Sequence, residues 1–472
     1  MKLGSAEFIA RSCGLLRSIV VQRTLGPTLL GVAAPMIIIA DFLDRVFSLH
    51  PGMVIVQDKH GGSGHYRRTV QTIMAVRGII LGLLIIILAI PLAVVNELDD
   101  SPWYVAAFMV IGLVPMIRGF SHIDVQRRYR KKEFSPVARV QIWTEIGSLV
   151  VAVVLCLVMT SFWIPILVRV FSSVILVFIT FKLARRRFQF GWNKDDAIRI
   201  LLFIAPLFVA GGIVFLTTQG PRQLVSSAGY LFDQFEFTKT DLGILTNAIM
   251  FAVVPAGIGG RMIQGPWTPK LARLRDEPER FRASYSSMQR FAYSVAGATL
   301  LLIGPGTIWI VTLYGADFAA AGPIVSVLAF RTALKLGATG TRCTMLSLGN
   351  SKYVMYMNLG GLMAPIGAAW VVIKGGSLIE IAYWIVIGEV ISFIIGGLLV
   401  KRSMKQLRLS DIWIVPIGMI LVAAVILAFE MWLIEGLNDY LAILITCVIS
   451  CGSLGVAMIA FPQIRPTIIK RK

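Results

Sequence analysis

The residues GIILGLLIIILAIPLAVV at positions 78–95 form an apolar run without a single charged side chain. Arg67 and Arg68 precede this run, and the acidic segment NELDDSP at 96–102 follows it. A helix needs about 20 apolar residues to cross a hydrocarbon core about 30 Å thick, and bases at one end orient such a helix in the membrane. This stretch therefore predicts a membrane-spanning helix, and the same pattern recurs along the chain.

The composition extends that prediction to the whole chain. Of its 472 residues, 57% are hydrophobic and only 15% are charged, and the mean hydropathy is +0.79. Soluble domains carry roughly 25% charged residues, so we predict an all-α polytopic membrane protein with about fourteen transmembrane helices. The predicted spans lie near residues 3–23, 28–50, 70–96, 103–122, 136–160, 162–182, 198–219, 241–263, 284–312, 321–347, 353–373, 377–400, 411–433 and 439–462.

The charge of the connectors alternates in sign along the chain. The net charge is +20, but the bases gather in every second connector, as the positive-inside rule requires, and we expect no nucleic-acid partner. The basic connectors carry Lys59, Arg67 and Arg68; Arg127, Arg128, Arg130, Lys131 and Lys132; Lys182, Arg185, Arg186 and Arg187; Lys270, Arg273, Arg275, Arg280 and Arg282; Lys401, Arg402, Lys405 and Arg408; and Lys470, Arg471 and Lys472. Acids dominate the segments 96–102, 314–322 and 435–439 between them. This alternation predicts that both termini are cytoplasmic.

Several functional classes do not fit this sequence. The five cysteines lie in apolar stretches without metal-ligand spacing, so we expect neither a metal site nor a cofactor. No GxxxxGK[ST] phosphate loop occurs, which excludes an ATP-driven pump as a single chain. The outer connectors are short, the longest running from 220 to 240, so no catalytic domain of ordinary size fits there and we expect no enzyme. A membrane-embedded polymerase of lipid-linked repeats is an alternative, but its outer loop would offer only Arg222, Asp233, Glu236 and Asp241.

Similar residues recur at a nearly constant offset in the two halves of the chain. The matching pairs are Gly31 with Gly243, Pro91 with Pro305, and Arg118 with Arg331, at offsets of 212, 214 and 213 residues. Transporters are often built from such repeats. We therefore predict an N-terminal six-helix lobe at 1–197, a C-terminal six-helix lobe at 198–402, and an additional helix pair at 403–472.

Four segments resemble the polysaccharide transporters and O-antigen (Wzx-type) flippases of the multidrug/oligosaccharidyl-lipid/polysaccharide exporter (MOP) superfamily. LGPTLLG at 25–31 resembles the LGPxxxG signature of that family. VIVQDK at 54–59 resembles the exit of its second helix, and RGF at 118–120 with QRRYRKKEF at 126–134 resembles its basic connector after helix four. LSLGNSK at 346–352 is similar to the corresponding connector after helix ten.

This resemblance implies a flippase of O-antigen or exopolysaccharide biosynthesis in the bacterial inner membrane. Its substrate would be an undecaprenyl-pyrophosphate-linked oligosaccharide, moved from the cytoplasmic to the periplasmic leaflet by alternating access. Its partners would be membrane lipids, a polysaccharide polymerase and chain-length proteins. One segment departs from the family: SLHPG at 48–52 stands where relatives often carry an Asp-x-Gly turn, so no role of that acid is carried over.

Charged residues inside the predicted spans are the candidate functional residues, because a charge at mid-membrane costs at least about 2.5 kcal/mol. Arginine presents a planar fork of donors that suits a pyrophosphate, and a buried carboxylate can exchange a proton. We predict the substrate-binding residues Arg11, Arg17, Arg45, Arg77, Arg169, Arg331 and Lys335. We predict the ion-coupling residues Glu7, Asp41, Asp44 and Glu145.

Structural roles are open alternatives for some of these charges. Glu7 with Arg11, and Asp41 with Arg45, are four residues apart and can pair along one helix face. Arg17 has no acid three or four residues away. Arg118 and Arg169 can instead extend their long stems to the membrane interface. Glu380 and Glu389 are further charges within predicted spans.

An ion-coupled small-molecule or multidrug exporter of the same superfamily is the principal alternative function. An exporter of organic cations is expected to line its cavity with acids and aromatic rings rather than arginines. The connector at 57–68 also lacks the DRxGRR spacing expected of a major facilitator.

Overall fold

A computed structural model describes residues 3–46, 54–55, 61–131, 133–232, 237–348, 351–404, 407 and 410–460. Every regular element in these ranges is a helix, as predicted. The chain divides into two compact units, Met1–Gly243 and Ile244–Lys472. The lobe boundaries at 197 and 402 stay predictions.

The first unit holds ten helices in its described part and the start of an eleventh. They are α1 (Leu3–Val46), α2 (Gly64–Ile87), α3 (Ala89–Val95), α4 (Pro102–Ile111), α5 (Leu113–Gly119), α6 (Asp124–Arg130), α7 (Ser135–Val158), α8 (Trp163–Leu183), α9 (Lys194–Ser226), α10 (Ala228–Phe232) and α11 (Lys239–Arg273).

The second unit continues α11 and adds eight α-helices in its described part. They are α12 (Pro278–Ile303), α13 (Gly306–Tyr314), α14 (Ala321–Ser347), α15 (Ser351–Leu359), α16 (Met363–Lys374), α17 (Leu378–Ser403), α18 (Val415–Ile434) and α19 (Asp439–Ala460).

The predicted count of fourteen spans is not confirmed. In the described residues, eleven helices are long and apolar enough to cross a membrane, and α12 with α13, bent by 61° between them, makes a twelfth. The first two predicted spans correspond to the two parts of α1, which are two helices that meet at Gly26 (φ 67°, ψ 175°). The seventh predicted span falls in α9, which is not among the eleven.

The break in α1 follows from two adjacent residues. Pro27 disfavours helical backbone in the residue before it, and Gly26 accepts the positive φ that results without a steric penalty. Two helices therefore meet at Gly26, within the connector that the sequence predicts between residues 23 and 28.

Two proline positions mark similar helix breaks. A proline inside a helix clashes with the carbonyl group four residues earlier, and α2 ends at Ile87, four residues before Pro91. In the second unit, α12 ends at Ile303 and α13 starts after Pro305. Both spans thus continue as a short second helix after the break.

Small residues let helices in the first unit approach closely. A Cβ atom on Gly78 of α2 would lie 2.4 Å from the carbonyl oxygen of Pro115, and one on Gly82 would lie 2.5 Å from that of Gly112. Such close approach of helix backbones is the usual way that membrane helices pack without a hydrophobic driving force. Gly78 and Gly82 therefore hold α2 against α4 and α5.

Large apolar side chains remain on the outside of the bundle. Leu157 is 82% exposed and Ile87 is 73% exposed. A soluble protein rarely exposes broad apolar surfaces of this kind, whereas lipid solvates them. The structure therefore supports a multi-pass membrane protein.

The connectors of the first unit gather at two opposite ends according to their charge. At one end, Arg128 Nη1 donates to the carbonyl oxygen of Leu183 at 3.2 Å, and Arg185 lies 3.7 Å from Glu133. At the other end of α2 and α3, Glu97 accepts a 2.9 Å hydrogen bond from the backbone N–H of Tyr230. The alternation of charge along the sequence thus becomes a separation of charge in the fold.

Candidate functional site

Arg17 of α1 forms an ion pair with Glu145 of α7. Arg17 Nη1 lies 2.7 Å from Glu145 Oε2 and 2.7 Å from the hydroxyl of Ser148. The two charged side chains are 27% and 31% exposed, so neither is fully enclosed by protein. Local spacing gave Arg17 no acidic partner because Glu145 is 128 residues away in the sequence.

Glu145 also borders a cavity of about 350 Å³. Residues of α2, α7 and α8 and the segment that includes α6 line this cavity, and Gln126, Gln141 and Thr144 are among its polar members. The Thr144 hydroxyl is buried and has no hydrogen-bond partner in the described residues. The Arg17–Glu145 pair therefore stands beside a space that contains unused hydrogen-bonding capacity.

Asp41 of α1 is the centre of a second polar cluster. One carboxylate oxygen accepts a hydrogen bond from Arg169 of α8, and the other accepts one from Gln219 of α9 at 2.9 Å. The Gln219 oxygen in turn accepts a hydrogen bond from Arg222, which is almost completely buried. Asp41 and Arg169 are 21% and 29% exposed, so this pair too is partly accessible.

The two pairs have the same chemical composition. Each joins one predicted substrate-binding arginine, Arg17 or Arg169, to one predicted ion-coupling acid, Glu145 or Asp41. In both pairs α1 supplies one partner and a later helix supplies the other. An anion and a cation binding here would therefore compete with the existing ion pair.

Other predicted residues lie elsewhere in their units. In the second unit, Arg331 of α14 is 3.8 Å from Glu389 of α17, and both side chains are largely buried. Lys335 follows one turn later on α14 and is half-buried. Arg11 and Arg77 in the first unit are also half-buried and take part in further contacts.

Three predicted residues lie outside the part of the chain whose side chains are described. They are Glu7, Asp44 and Arg45. Their assignment to ion coupling and substrate binding stays a prediction. The same holds for the pairing of Glu7 with Arg11 and of Asp41 with Arg45.

Two charges outside the predicted site have structural partners. Arg118 Nε donates to the Ser173 hydroxyl of α8 at 2.9 Å, which ties the end of α5 to α8. Glu380 forms a capping box with Ser377 at the start of α17 and an ion pair with Lys374 at 2.9 Å. Glu380 therefore stabilises a helix terminus.

Sequence reasoning missed one buried acid in the second unit. Glu430 of α18 is completely buried, and neither carboxylate oxygen has a hydrogen-bond partner among the described residues. Thr446 of α19 is its polar neighbour. The only signal in the sequence that could have identified Glu430 is that it is a single acid in a very apolar span.

Within the described ranges, no three histidine, cysteine, aspartate or glutamate side chains cluster tightly enough to share a metal ion.

Comparisons with known proteins agree on a fold of membrane transporters. A family model described as polysaccharide biosynthesis protein (Polysacc_synt_3) matches residues 20–323. The structure of the lipid II flippase MurJ in an inward closed conformation aligns over 99% of both chains, with a TM-score of 0.73 and 14% identity. No curated protein sequence matches the chain.

Two further solved structures have the same fold. An inward-facing multidrug resistance MATE family transporter of the MOP superfamily aligns over 86% of this chain and 98% of its own, with a TM-score of 0.66 and 13% identity. A MOP superfamily transporter from Pyrococcus furiosus, whose binding pocket is described as having reverse polarity, aligns over 85% and 94%, with a TM-score of 0.57 and 14% identity.

Proposed function

Because this chain belongs to the polysaccharide biosynthesis protein family that matches residues 20–323, we propose that it flips a lipid-linked oligosaccharide across the membrane. The substrate is an undecaprenyl-pyrophosphate-linked oligosaccharide of O-antigen or exopolysaccharide biosynthesis. It moves from the cytoplasmic to the periplasmic leaflet of a bacterial inner membrane. Both termini of the chain lie in the cytoplasm.

The observation that carries this proposal is the composition of the two ion pairs. Arg17 and Arg169 are partly exposed guanidinium groups inside the helical bundle, each held by a carboxylate. Guanidinium groups bind carboxylates and phosphates through the same planar fork of donors. Glu145 and Asp41 therefore accept hydrogen bonds from the same guanidinium donors that bind the pyrophosphate when the substrate enters.

Exchange of these partners couples substrate binding to a cation. When the pyrophosphate takes over Arg17 and Arg169, the carboxylates of Glu145 and Asp41 lose their counter-charges. A carboxylate that loses a nearby cation gains affinity for a proton, and sodium would meet the same need. Release of the substrate on the other side restores the ion pairs and expels the cation.

The same exchange favours a change of conformation. Arg17 with Glu145 ties α1 to α7, and Asp41 ties α1 to α8 and α9. Opening both ties when the substrate binds releases α1 from three neighbours at once. Alternating access then follows from a ligand that binds one arrangement of helices better than the other.

The test is complementation of a host strain from which the gene has been deleted. We expect the deletion to abolish surface polysaccharide and to leave lipid-linked repeat units facing the cytoplasm. In the deletion strain, Arg17→Gln and Arg169→Gln should each support roughly 10- to 100-fold less transport than the natural sequence, because each removes one charge-assisted contact to phosphate. The readouts are the amount of surface polysaccharide and the leaflet that holds the accumulated intermediate.

Arg23→Gln is the matched control for Arg17→Gln. Arg23 lies on the same helix, is exposed, and has no ion pair with a described residue, so its variant should complement like the natural sequence. Normal polysaccharide in the deletion strain, together with greater sensitivity to cationic drugs, would contradict the flippase and favour the multidrug exporter.

A further inference from the structure

A second cavity, of about 400 Å³, opens at the basic end of the first unit. The start of α2, the segment 122–124 and the segment after α8 line it. Four arginines belong to this lining, Arg67, Arg68, Arg186 and Arg187. They come from two connectors that are more than a hundred residues apart in the sequence, so the fold has assembled this concentration of positive charge.

The acid in the wall, Asp124, is paired with an arginine outside the lining. Asp124 is buried, and Oδ1 accepts a 2.5 Å hydrogen bond from Arg127 Nε while Oδ2 accepts one from the backbone N–H of Arg185 at 3.0 Å. Burial alone raises the pKa of Asp124, but these hydrogen bonds and the charge of Arg127 outweigh it and lower the pKa. The carboxylate is therefore ionised and already paired with Arg127.

The histidine in the wall is held in its neutral form by its hydrogen bonds. His122 Nδ1 accepts a 3.1 Å hydrogen bond from the backbone N–H of Asp124, so the ring proton is on Nε2, which points at the carbonyl oxygen of Arg186 at 3.0 Å. Burial lowers the pKa of His122. His122 thus positions the Arg186 segment without adding or removing charge.

Burial and the charge of Arg186 lower the pKa of Arg67, and the charge of Asp124 offsets only part of this. Arg68, Arg186 and Arg187 are exposed and form no ion pair with a described residue, and Arg67 Nε donates to the carbonyl oxygen of Ser63 at 3.0 Å. Like charges around one cavity repel one another. An anion that enters the cavity would relieve this repulsion and meet several guanidinium groups at once.

Aromatic rings beside the cavity indicate where the rest of the ligand lies. Phe188 lines the cavity and stacks on Phe181, with ring centroids 5.2 Å apart, and its edge meets Phe190 at 5.0 Å. Phe181 and Phe190 are 42% and 53% exposed. Apolar rings beside bases can contact lipid tails while the bases bind a charged headgroup, whereas free phosphate would make no contact with the rings.

We propose that this cavity binds the phosphate of an anionic phospholipid headgroup, with the acyl chains passing Phe181 and Phe190. Basic pockets between membrane helices are the sites at which such headgroups are recognised. This site contains neither Arg17 nor Arg169, although it shares His122 and Ile123 with the cavity beside Glu145, and it does not rest on the proposed transport function.

The test measures lipid retention by the purified full-length chain with native mass spectrometry. Phosphatidylglycerol should remain bound, and phosphatidylcholine, which has no net charge, should not. The double variant Arg186→Gln/Arg187→Gln should lower phosphatidylglycerol binding by roughly 30-fold, because each base near a lipid surface contributes about a fivefold gain in affinity. The backbone carbonyl that His122 contacts is kept in this variant.

Arg273→Gln/Arg275→Gln is the control with the same change of charge. Both residues are exposed bases in a connector of the second unit that is also predicted to be cytoplasmic. Equal loss in both double variants would mean general surface attraction and would overturn the site. Displacement of the lipid by millimolar inorganic phosphate would overturn the lipid as ligand in favour of free phosphate. If the double variant does not fold, Arg68→Gln alone should lower binding about fivefold, and unchanged binding there would also overturn the proposal.

Discussion

Gly31 and Gly243 lie against each other in a reciprocal contact. A Cβ atom on Gly31 would stand 1.6 Å from the carbonyl oxygen of Lys239, and one on Gly243 would stand 1.8 Å from that of Pro27. Each glycine therefore faces the carbonyl group four residues before the other. Only a residue without a side chain fits either position.

The neighbouring threonines repeat this relationship. The hydroxyls of Thr28 and Thr240 are 2.9 Å apart, and these residues are separated by 212 positions, as Gly31 and Gly243 are. Two pairs of residues that are 212 positions apart in the sequence are therefore in direct contact with each other. The contact gives the start of α11 and the part of α1 after Gly26 an equivalent local packing.

We expect Gly31→Ala and Gly243→Ala to lower the stability of the protein. The added methyl group must push two helix backbones apart, and overpacking of this kind costs about 1–3 kcal/mol. Thermal unfolding of the purified protein in detergent measures the loss. Gly265→Ala is the control, because nothing lies within 4 Å of a Cβ there and alanine favours a helix by roughly 0.5–1 kcal/mol. Unchanged melting of Gly31→Ala would contradict the close contact.

A double-mutant cycle on Arg17→Gln and Glu145→Gln tests the ion pair that connects α1 to α7. Because both side chains are less than one third exposed, we expect a coupling free energy of unfolding of about 1 kcal/mol. The control cycle uses Arg280 and Glu277, whose nitrogen and oxygen are also 2.7 Å apart but whose side chains are 75% and 48% exposed. Coupling there should be much smaller. Equal coupling in both cycles would show that burial adds nothing to the Arg17 pair.

Stability should fall at mildly acidic pH because of His122. Burial keeps the pKa of this imidazole below its ordinary value of 6.5, so between the two values the unfolded chain binds a proton that the folded chain does not. The stabilising effect of the neutral ring is complete above pH 6.5 and is lost as the pH falls toward the lower pKa of the folded state.

The measurement is the melting temperature at pH 7.5 and at pH 5.5 for the natural sequence and for His122→Gln. The melting temperature of the variant should change less between pH 7.5 and pH 5.5 than that of the natural sequence. The charges that face the ring are those of Asp124 and Arg67. The pKa of Asp124 lies below its ordinary value of 3.8, so its own effect comes only at more acidic pH. The same pH dependence in both proteins would rule out His122 as its source.

Glu430→Leu should raise stability. A buried carboxyl group without a hydrogen bond costs about 1–3 kcal/mol, and leucine fills a similar volume in the apolar contact of α18. Thermal unfolding measures the gain, with Thr446→Val as the companion variant on α19. If Glu430→Leu is folded but no longer complements a deletion strain, the acid is retained for transport rather than for packing.

The helical architecture was predictable because the length and apolar composition of each segment, taken alone, indicate a membrane helix. The run at 78–95 is apolar over its whole length and forms the end of α2 and all of α3. The break between the first two spans was also predictable from Gly26 and Pro27, because two helices meet there. The count of fourteen is not confirmed, because α9, which holds the seventh predicted span, is not among the helices long and apolar enough to cross a membrane in the described residues.

The partners of the charged residues depended on contacts that spacing along the chain does not contain. Arg17 meets an acid 128 residues away, and Asp41 meets Gln219, which is 178 residues away. Local rules compare residues three or four apart, so they cannot find either of these partners. Residue type alone selected Arg17, Arg169, Asp41 and Glu145 as candidates, but only the fold combines them into mixed pairs.

The separation of charge between the two ends of the first unit makes that unit an electric dipole. Arginines crowd the end near His122, whereas Glu97, Asp99 and Asp100 follow α3 at the other. A transmembrane voltage does work of about 2.3 kcal/mol per 100 mV on each unit charge that crosses it. With the basic end facing the cytoplasm, as the sequence predicts, a voltage that is negative inside favours this orientation, because an inverted copy would place those arginines on the positive side.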